Sequence, residues 1–219
     1  MKIQAFIPDW PSNGKTHASD IVNIIRDYCP VTILNDPSDF FNHQWEKARA
    51  QFTGDVLLWW MADVSLPASF GQLYGRALET LGRSDIAWYA PDIAWTSYIY
   101  DQKDLNQVAP DIYEVPNTDS LFMFIRGDLV RAMPYIDPKI SFMWGMDIIA
   151  TATARLMGLK VVRDYRFKAE HPNDTGYSIP AAGAGMSPLF DTLMPELREE
   201  CAKVEADVRR LRRGPCAIF

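Results

Sequence analysis

The sequence predicts an α/β domain built on a mixed, mostly parallel sheet flanked by helices, with an added C-terminal helix. Three observations predict it. Short apolar runs alternate with stretches of helical period, the pattern of successive βαβ units. One run, Val56-Leu57-Leu58-Trp59-Trp60-Met61, is apolar throughout and bracketed by Gly54 and Pro67, which reads as a central strand buried on both faces. The chain has 219 residues, 48% hydrophobic and 23% charged, enough for a sizeable core.

Residues 3–7 form a first strand, followed by a turn-rich loop over 9–16. A helix spans about 17–28, with Ile21, Ile24, Ile25 and Tyr28 on one face. Residues 31–34 are a second strand, ended by Asn35-Asp36-Pro37, and a helix over 40–51 leads into the central strand. After Pro67 a helix reaches Leu81 through Phe70, Leu73, Tyr74 and Ala77. Residues 85–89 are a strand, and 91–116 show no clear period. A buried strand over 120–125 precedes a short helix over 127–133. Residues 148–157 are a helix with Gly158 as its C-terminal cap, 159–162 a strand, and 163–177 a polar, loop-like stretch.

The pattern changes over 188–213. Phe190, Met194, Leu197, Cys201, Val204, Val208 and Leu211 step by four and three, a heptad seam along one amphipathic helix. Such a seam lies on its own domain or pairs with a second copy, so the helix is a candidate homodimer contact. A tail over 214–219 follows. Its Cys216-Ala217-Ile218-Phe219 has the form of a prenylation box, expected to be a chance match. Arg209, Arg210, Arg212 and Arg213 before it are a candidate peripheral contact with the inner face of a membrane.

The formal net charge of -6 argues against a nucleic-acid binder. Cys29, Cys201 and Cys216 show neither a paired framework nor metal-ligand spacing, which suits a reducing, cytoplasmic compartment. The opening MKIQAFIPDW is too short an apolar run for a secretory leader, and no run approaches the roughly 20 apolar residues of a membrane-spanning helix. Glycine-rich phosphate loops, GxSxG and His-Glu-x-x-His are all missing from the sequence, so dehydrogenase, P-loop, serine-hydrolase and zincin readings lack support.

Three stretches carry chemistry instead. Asp63 follows the central strand, and ligands of open α/β sheets bind beyond the carboxyl ends of strands. Trp144-Gly145-Met146-Asp147 puts an acid at a helix N-terminus, where the dipole favours its ionised form. Glu170-His171-Pro172 lies just past a strand end. In order and spacing, GDVLLWWMADV, NTDSLFMFIRGDLV, WGMD opening a helix and VVRDYRFKAEHPNDTGY resemble the GT-A glycosyltransferases, in particular the inverting family 2 type, over residues 3–177.

The resemblance implies a GT-A, Rossmann-like domain over 1–180. It would move a sugar from a nucleotide-diphosphate sugar, uridine ahead of guanosine, to a glycan or lipid-linked glycan. Asp63 matches the second carboxylate of the family's Asp-x-Asp motif, on the metal and the donor; the first position holds Met61. His171 matches the histidine that completes the metal site. Asp147 matches the acid that takes the acceptor's proton; the position before it, often Glu, holds Met146. Pro8, Asp9, Asn35, Asp36 and Asp39 match donor-side positions, and Asn117, Asp119, Trp144 and Gly145 the acceptor side. A hard divalent cation stabilises charge on a leaving diphosphate, and an imidazole ligand favours manganese over magnesium. Of Trp59, Trp60, Trp95 and Trp144, which could stack on a sugar or base, the first two are expected in the core.

Met61 and Met146 leave open a catalytically silent relative that binds a nucleotide sugar. Two further readings stay open: an interaction protein acting through its C-terminal helix, and a sugar-nucleotide nucleotidyltransferase using Lys15 of SNGKT.

Overall fold

The apolar runs assemble into one eight-stranded sheet, order β2-β1-β3-β7-β4-β8-β6-β5. The computed structural model describes residues 1–9, 17–35, 41–94, 96–137, 144–171, 183–184 and 186–213. Its strands are β1 (Ile3–Pro8), β2 (Val31–Leu34), β3 (Val56–Trp60), β4 (Ile86–Ile93), β5 (Asn106–Ala109), β6 (Ile112–Glu114), β7 (Phe122–Arg126) and β8 (Lys160–Ala169). Its helices are α1 (Ala18–Ile25), α2 (Phe41–Gln51), α3 (Phe70–Leu81), α4 (Gly127–Ala132), α5 (Met146–Leu156), α6 (Met186–Asp191) and α7 (Pro195–Leu211). β1 pairs parallel with β2 and β3, and β4 with β8; β7 is inserted antiparallel between β3 and β4. Asp36, Asp39, Lys15, Trp95, Pro172 and the tail over 214–219 lie outside the described residues.

β3 is the centre of the core, as its uninterrupted apolar run requires. All five of its residues are buried. Trp60 stacks on Phe122 with ring centroids 4.3 Å apart, and Trp45 meets Trp59 edge-on at 5.4 Å. Both tryptophans of β3 therefore serve packing, and neither is offered to a ligand.

Three stretches differ from their sequence-based expectation. The polar stretch after Val162 continues β8 to Ala169, because its charges are paired where they are buried. Asp164, fully buried, accepts from Arg76 Nε (2.7 Å) and Tyr89 Oη (2.6 Å). Arg163 donates to the Tyr98 carbonyl (2.6 Å) and Thr118 Oγ1 (2.8 Å). Within 91–116, β5 and β6 form a hairpin, turned at Asp111 in the left-handed region (φ 61°). The C-terminal helix is broken in two, and Pro195 opens α7 at a position where its missing N–H costs nothing.

The heptad seam is used inside the chain. Cys201, Val204 and Val208 are buried where α7 lies on α5, and Arg155 Nη1 meets Asp207 Oδ2 at 2.9 Å across the contact. Met194, 75% exposed, is the seam position left outside. Among the described residues no helix is long and apolar enough to cross a membrane.

Candidate functional site

The end of β3 is tied down from three directions. Ala62 N donates to Pro8 O (3.0 Å), joining it to the end of β1, and Met61 N donates to Leu121 O (2.9 Å), before β7. Trp60 Nε1 donates to Val64 O (2.8 Å), closing the turn that carries Asp63. Beyond the turn, Ser65 and Glu170 exchange two backbone bonds, 2.9 and 2.8 Å, as an antiparallel bridge. This bridge brings the residue after β8 against the end of the turn that follows β3.

Asp63 Oδ2 and His171 Nε2 consequently stand 3.5 Å apart, with side chains 15% and 11% exposed. Asp63 Oδ1 is shut from solvent and has no hydrogen-bond partner among the described residues. Both side chains line a cleft of about 780 Å³, shared with His17, Tyr100, Arg163 and Lys168 among others. A carboxylate with one oxygen unpartnered and the other beside an imidazole nitrogen fits a divalent cation. Among the described residues no group of three His, Cys, Asp or Glu side chains forms a metal cluster. Substrate oxygens and water would supply the remaining ligands. Met61, where the resemblance expects another carboxylate, is buried.

Asp147 sits in an adjoining cluster. Gly145, with φ 91°, caps α5 and sets Asp147 in its first turn. A Cβ on Gly145 would stand 3.1 Å from Phe190 Cζ. Asp147 is 8% exposed. Its Oδ1 accepts from Ile148 N (3.0 Å) and its Oδ2 from Asn117 Nδ2 (3.2 Å), while Thr151 Oγ1 donates to Asn117 Oδ1. The Tyr98 phenol acts on the same carboxylate and favours its ionised form. Burial pushes Asp147 up to about 6, against the pull of Tyr98, Ile148 and Asn117.

Asp119 links the two clusters electrostatically. It is half-buried, and its Oδ2 is shut from solvent without a partner among the described residues. Burial first, then the Asp147 charge, push it up to about 7, opposed by Arg163 and His171. Asp147 itself is not among the cleft-lining residues; Thr96, Ile99 and Tyr100, on either side of Tyr98, are. Trp144, half-buried, precedes Gly145 just before the start of α5.

Of the donor-side candidates, the described ones, Pro8, Asp9 and Asn35, share the sheet edge of Asp63 but are not among the residues lining this cleft. Pro8 ends β1 beside Leu34, Asp9 N donates to Leu34 O (2.8 Å), and Asn35 is exposed just after β2. Sequence reasoning missed Tyr98 and Arg163. Tyr98 lies in a stretch without period, and the one signal for Arg163 was a charged pair directly following Val161-Val162.

No protein-family model and no curated protein sequence matches the chain. Solved structures do. GalNAc-T7 with UDP, GalNAc and Mn2+ is 10% identical, with a TM-score of 0.60 over 98% of this chain. The chain spans about half (52%) of the length of that structure. The mannosyltransferase PcManGT from Pyrobaculum calidifontis, in complex with GDP-Man and Mn2+, is 10% identical (TM-score 0.60, 94% of this chain and 69% of that one). The fold is GT-A. Another GT-A neighbour is glucosyl-3-phosphoglycerate synthase from Mycobacterium tuberculosis, with Mn2+, UDP and phosphoglyceric acid. It is 12% identical, with a TM-score of 0.59 over 91% of this chain and 78% of that one. At these identities the likeness is one of fold, and substrate does not follow from fold.

Proposed function

We propose that the chain is a metal-assisted, inverting glycosyltransferase. It moves a sugar from a nucleotide-diphosphate sugar, uridine-linked, to a hydroxyl of a glycan or lipid-linked glycan. The observation that carries this reading is the Asp63–His171 pair, 3.5 Å apart at the carboxyl edge of a GT-A sheet and open to a cleft. The complexes of GalNAc-T7, PcManGT and the phosphoglycerate synthase, each holding Mn2+ with a nucleotide or nucleotide sugar, support it.

Asp63 and His171 would hold the cation, manganese ahead of magnesium. When bound, it neutralises charge developing on the leaving diphosphate. The remaining steps fall to the chain. The acceptor hydroxyl attacks the anomeric carbon opposite the diphosphate, its C–O bond forms as the donor's breaks, and a single displacement inverts the centre. Asp147, ionised above about pH 6, takes the hydroxyl proton as the new bond forms. Asn117 donates to that carboxylate, and the Tyr98 phenol favours its ionised form.

Asp147→Asn tests the assignment. Transfer should fall by about 10²–10⁴-fold while UDP and Mn2+ binding stays as in wild type. Retained turnover would remove Asp147 as the base. Met61 at a carboxylate position favours a second reading, a relative that binds the nucleotide sugar without transferring it. Wild-type protein that binds the donor with Mn2+ but turns over no acceptor in a glycan panel would select that second reading.

A further inference from the structure

The C-terminal helix braces the residues around Asp147 from two sides. Along its length α7 packs on α5, the helix that carries Asp147. Past its end, Arg213 N donates to Ile99 O (2.7 Å), Arg212 and Tyr100 form an antiparallel bridge, and the Arg213 guanidinium donates to Asp104 Oδ2 (2.5 Å). Thr96, Ile99 and Tyr100 line the cleft. Tyr98 between them is 3% exposed; its carbonyl accepts from Arg163 Nη1 (2.6 Å), and its phenol acts on the Asp147 carboxylate. One element thus braces both the helix that bears the carboxylate and the loop that carries the Tyr98 phenol.

We propose that Tyr98 and Arg213 are positioning residues for sugar transfer: Arg213 clamps the loop over residues 96–100, and the clamped loop holds the Tyr98 hydroxyl on Asp147. This rests on the sugar-transfer reading above. It assigns the C-terminal helix a part in the acceptor step, which its heptad pattern alone does not suggest. The charged and titratable groups acting on Asp147 are Tyr98 and Tyr100 from the loop after β4, Asp119 from the loop before β7, and Cys201 from α7. The neutral amide of Asn117 also donates to it. A phenol that donates to the ionised carboxylate favours that form, so its loss makes Asp147 hold its proton to higher pH.

Tyr98→Phe removes the hydroxyl and keeps the ring. Arg213→Pro removes the amide donor and the guanidinium together. Arg212, at φ -69° and ψ 153°, already has the backbone that a residue before proline adopts, and α7 has ended at Leu211. Each variant should lower kcat about tenfold or more, in line with the cost of a misplaced reacting group. Affinity for UDP with Mn2+ should stay unchanged, and the acid limb of the kcat profile should move to higher pH. Because Arg213 acts through Tyr98, the double variant should be no slower than Tyr98→Phe. Additive losses, an unmoved acid limb, or an equal loss of donor affinity would each overturn the proposal.

The carboxyl carbon resonance of Asp147 in ligand-free protein is the second readout. It should titrate at higher pH in both variants, and an unchanged titration overturns the clamp. This measurement needs no acceptor. Wild type that transfers no sugar would therefore sink the parent reading, while the resonance still decides on the clamp.

Discussion

Asp119 is held above its ordinary range by burial and by the neighbouring Asp147 charge, so the folded chain keeps a proton there that the unfolded chain releases near pH 4. The folded state binds the extra proton between about pH 4 and about 7. Stability from this residue is full below that window and falls as pH rises through it. Asp119→Asn removes the titration and keeps the shape. In the presence of a chelator, the variant should melt above wild type at pH 8, with the gap closing at pH 4. At this chain length each kcal/mol relieved is worth about 2–4 °C. Equal melting temperatures at pH 8 would show that the unpartnered Oδ2 carries no such cost. Asp63 likewise has one unpartnered oxygen, Oδ1, while its Oδ2 stands beside His171, and there the proposed cation offers a use for the carboxylate.

At the scale of elements, Gly145 fixes how α5 begins. Its φ of 91° is strained for any L residue, at about 1–2 kcal/mol, and an added Cβ would press on Phe190 at 3.1 Å. Gly145→Ala should destabilise the protein by about 1–3 kcal/mol and slow transfer, with UDP and Mn2+ binding intact. Thermal unfolding with a donor titration checks both halves. A variant as stable and active as wild type would show that the helix start tolerates a shift. The start of α5 was legible in the sequence because Gly-Met-Asp sets a small residue before an acid. β3 was legible because six apolar residues between breakers admit few other structures. The second half of β8 was not, because Arg163 and Asp164 read as solvent-facing until Tyr98, Thr118, Arg76 and Tyr89 are known to meet them. The β5–β6 hairpin was hidden for a related reason: its turn uses Pro110-Asp111, and its edge strand is largely polar.

Across the whole molecule, the site is made by long-range pairing. Ser65 and Glu170 are far apart in sequence, and their bridge joins the turn that carries Asp63 to the strand end that carries His171. Periodicity marks strand ends but not which ends meet. The two residues could be read as a pair only through their resemblance to a known order of motifs; the fold sets them 3.5 Å apart. Asp147, the proposed base, was singled out through the same resemblance. Its dependence on Tyr98 and on the far end of α7 was not legible, since nothing local in residues 96–100 or 212–213 signals a tertiary contact. The heptad seam shows the converse limit: the period predicted the buried face, and only the fold shows that α5 covers it.

The central claim is that Asp63 and His171 hold a cation that in turn holds a nucleoside diphosphate. Melting temperature measured with Mn2+ and UDP, separately and together, tests it most directly in wild type, Asp63→Ala and His171→Ala. The account predicts a rise in wild type that needs both ligands and is lost in either variant; saturation at a hundred times Kd corresponds to about 2.7 kcal/mol. No rise with any metal and nucleotide pair, or the same rise in the variants, would contradict it.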